Sequence, residues 1–557
     1  MKKINIFLKT LLALVVLMTT GCELTNLDIN KNPNSPLAVP PGLLLTNAVR
    51  TATYTTSGLS DSGLGFTGVT ASSDRFDLNF GSYTGTWSNY YSGSLKDIEE
   101  ILIATDPAKV NNPVYRGIAQ VLKAYYFSVI VDFFGEAPYT EAFKGNDASF
   151  ITNPKYDDGK AIYDDLFKLL DEASANLQKT SPITITGDPI YNGNAASWLR
   201  AANSLRLRLL IQTRRVDSGA AAKIAAAVNA PGGLITTPAQ DLSFQFSRLL
   251  NPDNRHPWYQ SAYGSASNAF TYIIHQYTLE MLENEDPRVP FYFKRQSTRI
   301  LDFNNSTDRN TASTGYPPFN PIWIDRLYTK KGLTYNPTVD GRYLAGFSGR
   351  ERGDPAGIPA DTDIRLAPGV YPAGGEFDTD AGVRITGGNN KGVGAGLFPM
   401  ITSVNVKFYQ IEAMLTAGLA GDPRALFATT IREHISRVAS FSATLDARAV
   451  APTAAAVDKY VNLFLAKYDA APTNEGKLSV VLKQAWFSNW GNGIEIYNAF
   501  RRTGYPGDVI PPLSRQRQFA LRIPYSTDDL NLNSNAPKDR PAFDAVPVFW
   551  DVLKFKF

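Results

Sequence analysis

The chain has 557 residues, 55 of them Lys or Arg and 52 Asp or Glu, with 44% apolar and 12% aromatic residues. Lys2, Lys3 and Lys9 fall in the first 21 positions, so the remaining 536 residues carry 52 charges of each sign and are formally neutral. A neutral body without clustered Lys and Arg argues against nucleic acid or an acidic membrane surface as partner, while the length and apolar content suit one large globular domain or about three ordinary ones.

Taken in chain order, Lys2 and Lys3 followed by the apolar run Leu11 to Met18 read as a secretory signal, since the run is too short to span a bilayer. It ends in Thr19, Thr20, Gly21 and Cys22, and Cys22 is the only cysteine of the chain. A lone cysteine cannot close an internal disulfide. Its place directly after the signal resembles the bacterial lipobox, in which that cysteine is diacylated and becomes the new N-terminus, although Thr19 stands where the commonest lipobox has leucine. The expectation is a lipoprotein signal peptide over residues 1–21, lipid attachment at Cys22, and a polar tether over 22–38 marked by Pro33 and Pro36.

Helical spacing begins beyond the tether. Ile118, Val121, Leu122, Tyr125 and Val129 form one apolar stripe; Ile162, Leu166, Leu169, Ala173 and Leu177 form a second; Trp198, Ala202, Leu205 and Leu209 form a third. The pattern returns with Phe408, Ile411 and Leu415, with Phe427, Ile431, Ile435 and Val438, and with Leu478, Val481, Leu482 and Ala485. Asp422 and Pro423 place a cap and a first-turn proline before the middle one of these. Between the blocks the pattern changes: residues 301–400 hold 16 of the 42 glycines and 9 of the 35 prolines, which helices do not tolerate. The predicted architecture is mainly α, one domain over 39–557, with a helical scaffold (39–230 and 401–505), a loop-rich ligand-binding region (231–400) and a C-terminal segment (506–557). No fixed-period repeat is visible.

Catalytic motifs are sparse. Gly63, Gly65 and Gly68 match G-x-G-x-x-G but follow no apolar strand, so they read as a flexible loop rather than a dinucleotide site. His256, His275 and His434 never fall at metal-ligand spacing, and His434 sits beside Ile431 and Ile435 as a core histidine would. There is no G-x-S-x-G elbow, no P-loop and no cysteine nucleophile. Carboxylate pairs for glycoside hydrolysis need closeness in space, not in sequence, so Asp74 with Asp77, or Glu283, Glu285 and Asp286, stay open beside their reading as solvated loops and helix ends.

At 132–142 the chain reads D-F-F-G-E-A-P-Y-T-E-A. Together with D-I-N-K-N-P-N at 28–34, W-L-R-A-A-N-S-L-R-L-R at 198–208, E-D-P-R at 285–288, Y-P-A-G-G at 371–375, N-G-I-E-I-Y-N-A-F-R-R-T-G-Y-P at 492–506 and R-I-P-Y at 522–525, it resembles the SusD/RagB family of lipid-anchored nutrient-binding proteins of the Bacteroidetes outer membrane. The residues of these motifs read as structural: Gly135 and Pro138 turn the chain out of a helix with Tyr139 packing back, Arg501 and Arg502 can meet the last carbonyls of theirs, and Gly504 and Pro506 stop it. The resemblance implies a tetratricopeptide-like scaffold and a lid over a SusC-type TonB-dependent barrel. It also implies capture of oligosaccharides, or in some relatives peptides, at a shallow loop-built surface; the sequence motifs assign the chain no catalytic residue, cofactor or metal ligand.

No family motif carries ligand residues, so candidates rest on chemistry. A sugar offers apolar C–H faces and hydroxyls, which suit a flat aromatic beside Asp, Asn or Arg. Three segments have that composition: N-P-D-N-R-H-P-W-Y-Q at 251–260 with Trp258 and Tyr259, S-D-R at 73–75 with Asp74 and Arg75, and W-I-D-R at 323–326 with Trp323 and Asp325. Each tryptophan can equally be a core residue, and Trp87, Tyr90 and Tyr91 are assigned to the core. The alternatives from other classes are a surface glycosidase, which would turn its glycan over, and an adhesin, which would hold no small soluble ligand.

Overall fold

The structure, a computed structural model, describes residues 39–71, 83–108, 110–146, 149–264, 272–296, 347, 366–383, 385, 392–512, 519–537 and 544–554. Cys22, Asp74, Arg75, Asp77, Trp323 and Asp325 lie outside them.

The first half is built from α1 (Pro41–Phe66), the short α2 (Thr84–Ser88), α3 (Leu95–Ala104), α4 (Pro113–Phe134), α5 (Gly159–Leu177), α6 (Ala195–Thr213) and α7 (Ala220–Val228). Three short helices follow, α8 (Pro257–Tyr263), α9 (His275–Glu283) and α10 (Val289–Tyr292), and then the second block of α11 (Ser403–Thr416), α12 (Pro423–Ala443), α13 (Ala454–Ala470), α14 (Asn474–Ser488), α15 (Gly493–Thr503) and α16 (Thr527–Leu532). Successive helices pack against one another from α3 to α7 and from α11 to α14, α6 joins the two blocks through α11, and α15 lies against α1. The chain is mainly helical, as its periodicity predicts, and helices start where short polar side chains can satisfy free N–H groups. Asp158 caps α5, Asp422 caps α12 by accepting from Arg424 and Ala425 N–H, and Thr402 and Asn405 form a reciprocal capping box on α11.

The apolar stripes are buried, with one shift: Leu170 fills the core position expected of Leu169, which is half-buried. Helix α4 differs from the amphipathic reading more deeply, because all but Arg116 and Lys123 of its 22 residues are buried. It is the one helix among the described residues long and apolar enough to cross a membrane, and 94% of that stretch is inside the protein, as befits a central core helix.

The glycine triplet is no flexible loop. Gly63 and Gly65 belong to the last turns of α1, and Gly68 follows its end with φ +73°. A Cβ on Gly63 would run into the backbone of Gly493 at the start of α15, and one on Gly493 into the backbone of α1 at Ser60 and Leu64. The pair lets two helices cross backbone to backbone. Ser60 Oγ accepts from Gly493 N–H at 2.8 Å across that crossing. Gly63→Ala is therefore expected to cost about 1–3 kcal/mol of stability through overpacking, to be read by denaturant unfolding; an unchanged midpoint would contradict the close crossing.

Motifs far apart in sequence meet in one buried polar network. Asp132 at the end of α4 accepts from Arg208 (3.2 Å), Asn498 (2.6 Å), the Trp550 indole (3.0 Å) and the Tyr163 hydroxyl. Arg208 also donates to Glu495 at 2.6 Å, and Tyr409 donates to the same carboxylate. Beside it, the positive-φ Gly135 leaves room for the Arg522 guanidinium, while Ile523 N–H donates to the Phe133 carbonyl at 2.7 Å. Buried charges persist only when paired and hydrogen-bonded, which explains why these stretches read as structural. Arg501 and Arg502 correct one detail: both are buried, Arg501 donating to the Leu521 carbonyl (2.8 Å) and Arg502 to Glu412 (2.8 and 2.9 Å). The end of α15 is closed instead by Gly504, φ +78°, whose N–H donates to the Phe500 carbonyl.

Candidate ligand-binding site

The segment 251–260 divides by side-chain polarity. His256 caps α8 by accepting from Trp258 N–H at 3.1 Å, and Pro257 takes the first helical position. That start swings Trp258 and Tyr259 inward, where each is only 5% exposed. Trp258 packs at 4.9 Å from Trp490, and its indole N–H donates to Asp61 Oδ1 at 2.8 Å. Tyr259 stacks parallel on Tyr263 at 5.0 Å and donates to the Gly392 carbonyl at 2.7 Å. The expectation of open ring faces at Trp258 and Tyr259 is thus corrected, because each ring sits inside an aromatic cluster with its polar edge already bonded. Trp87 and Tyr90 are buried in the core as assigned, and Tyr91 is half-buried against it.

Outward, the segment presents the exposed Asn251 and Pro252 and then Asp253, Asn254 and Arg255, the last three half-buried. Asp253 and Arg255 form a two-bonded ion pair (2.9 and 2.6 Å) and so cancel in charge. Facing them on α1 stand Arg50 and Tyr54, one turn apart. Arg50 Nε donates to Asn254 Oδ1 at 3.4 Å and its guanidinium lies 5.3 Å from the Tyr54 ring; Tyr54 donates to the Arg255 carbonyl at 3.2 Å and packs edge-on against Phe246. A half-buried phenol ring with an amide, a guanidinium and a carboxylate around it is the composition sought for sugar recognition. Sequence reading missed Arg50 and Tyr54. The signal was available, since the buried stripe of Leu45, Ala48, Val49, Ala52, Leu59 and Leu64 leaves positions 50, 54 and 61 together off the core face.

Asp61 completes that face two turns beyond Tyr54. Desolvation pushes its carboxyl from 3.8 to about 7, against the pull of the Trp258 indole in the other direction. A carboxyl whose folded pKa is raised contributes stability fully present below its unfolded pKa, which is lost as pH rises through about 7. Asp61→Asn is therefore expected to gain on the wild type as pH goes from 4 to 8, in paired thermal melts. A difference that is flat across this window would contradict the burial of a charge-bearing Asp61.

The remaining titratable candidates are tied into the fold. Burial drives His256 and His275 down to about 3 and His434 well below its usual value, so all three are neutral at physiological pH. His434 is a core histidine with Nδ1 2.9 Å from Arg288 Nη1, though its Nε2 has no partner among the described residues. Asp286, read as a solvated acid, is buried in a two-bonded pair with Arg288 and accepts from Tyr460; Glu285 pairs with Lys459 at the surface. Among the described residues no group of three or more His, Cys, Asp and Glu is placed to hold a metal ion.

Comparison with known proteins agrees with this architecture. The chain shares its fold with a chitin-binding protein (20% identity, TM-score 0.65, covering 92% of this chain and 100% of that one). It also matches a SusD/RagB family protein from Bacteroides thetaiotaomicron (19%, 0.68, 92% and 99%) and a chitin-binding SusD homolog from Flavobacterium johnsoniae (19%, 0.62, 92% and 98%). No curated protein sequence matches it. A SusD-like family profile, described as starch-binding and associating with the outer membrane, matches residues 33–320, more than half of the chain. With the helical fold and the motifs of the buried network in agreement, the chain belongs to the SusD/RagB family.

Proposed function

We propose that the protein is a surface-exposed lipoprotein of the outer membrane that binds oligosaccharide and passes it to a SusC-like TonB-dependent transporter without breaking a bond. The observation that carries this reading is the face of Arg50, Tyr54, Asp253, Asn254 and Arg255, where a ring and hydrogen-bonding groups stand half-open together. Structural relatives named as chitin-binding support a glycan as the ligand class. Asp74, Arg75, Trp323 and Asp325 remain candidates for contacts to the same ligand, and Trp258 and Tyr259 support the face from beneath.

An anchored protein whose one membrane-length helix among the described residues lies in its core needs a channel to move a solute across the bilayer. A lipid at Cys22 and a docked transporter would together raise the effective concentration of ligand at the channel mouth. Cys22→Ser is expected to shift the protein to the soluble fraction, and wild-type extracts in mild detergent to yield it together with a TonB-dependent barrel. Retention of the serine variant at wild-type levels would contradict the anchor, and isolation only as a free monomer would contradict the partner. At the face itself, Tyr54→Ala is expected to weaken glycan binding by about tenfold, with Tyr54→Phe close to wild type; equal affinities for all three would remove Tyr54 from the site.

A further inference from the structure

A cavity of about 650 Å³ opens between α12 and the strand β1 (Leu242–Gln245), which pairs antiparallel with β2 (Leu397–Ile401). The volume is within the roughly 300–1,000 Å³ of small-molecule sites. Alternation along β1 turns Leu242 and Phe244 into the core and leaves Ser243 and Gln245 on the groove side. Helical spacing brings Ser436, Ser440 and Phe441 of α12 to the opposite wall.

The lining carries charge that is already neutralised. Asp241 accepts from Arg437 at 2.7 Å, Arg437 also meets the Tyr371 hydroxyl, and Glu433 is paired with Lys407. An ion would find no unpaired opposite charge there. Hydrogen-bonding capacity, by contrast, is left over. Ser436 and Ser440 stand exposed, and among the described residues neither their hydroxyls nor the solvent-shielded Ser243 Oγ make a hydrogen bond. Gln245 donates its amide N–H groups to the Ala395 and Gly396 carbonyls (2.6 and 2.9 Å), which orients its carbonyl oxygen as an acceptor. Phe441, half-buried and held edge-on by Tyr371, and Leu397 add apolar surface.

We propose that this groove is a second carbohydrate site, taking one or two uncharged sugar rings with a C–H face on Phe441 and hydroxyls on Gln245, Ser436 and Ser440. The Gln245 carbonyl oxygen offers an acceptor and the exposed Ser436 and Ser440 hydroxyls offer both donors and acceptors, which the hydroxyls of a neutral polyol can match. The inference rests on carbohydrate as the ligand class but not on the Tyr54 face, which is reached along the chain through residues 246–252.

The test is calorimetric titration of the chain from residue 23 with chitotriose and maltotriose, and with trigalacturonate as a charged control. The wild type is expected to bind two equivalents of one neutral trisaccharide, with the acidic trisaccharide excluded from the groove. Ser440→Trp, an exposed helix position where the indole would fill the cavity, should remove one equivalent and leave Tyr54-dependent binding intact; Phe441→Ala should weaken the same event at least tenfold. Thermal melts of both variants establish that they are folded, and Thr444→Trp serves as a second blocking variant if Ser440→Trp is not. If Ser440→Trp and Thr444→Trp both leave stoichiometry and affinity unchanged, the groove is not a sugar site. If Tyr54→Ala is silent while the groove variants lose binding, the groove stands and the Tyr54 face falls.

Discussion

Replacing Trp258 with alanine is expected to lower stability by about 3–5 kcal/mol, the range for removing a buried large aromatic. The ring is 5% exposed, packs on Trp490 and lies edge-on to His256, so its loss leaves a cavity between α8 and the turn that follows α14. It would also strip Asp61 of its one indole donor, leaving a desolvated carboxyl still less able to ionise. Guanidinium unfolding of the variant measures the loss directly. An unchanged midpoint with weakened glycan affinity would instead return Trp258 to the ligand surface.

The second large effect is expected at Arg208. Arg208→Met leaves Asp132 and Glu495 buried without their shared cation, and removing one partner of a buried pair costs about 3–5 kcal/mol. Adding Glu495→Gln should recover part of the loss at pH 7, because the two residues are in contact and their effects are not additive. A full-sized penalty that Glu495→Gln does not relieve would contradict the ionic account.

The helical framework was legible because burial imposes a 3.6-residue period on every helix with one solvated face, and the stripes on α5, α6, α11, α12 and α14 follow it. The reading loosened where burial is all-round, as in α4, and where glycine serves a crossing rather than a loop, as at Gly63 and Gly493. Both depend on neighbours distant in sequence. The same cause explains the site. Composition singled out the segment around Trp258 for its aromatic and polar residues, but which way each ring points is set by the His256–Pro257 helix start and by Asp61, almost 200 residues earlier. Arg50 and Tyr54 were hidden for the converse reason: no local motif marks them, and only the fold brings α1 against residues 253–255.

Capture of a glycan without turnover is tested most directly by incubating residues 23–557 with neutral oligosaccharides, measuring affinity by calorimetry, and then chromatographing the same mixture for products. The expected result is saturable binding that Tyr54→Ala weakens, with every oligosaccharide recovered at its original length. Shortened products in proportion to enzyme-like turnover, or no binding across starch-, chitin- and cellulose-derived oligosaccharides, would contradict it.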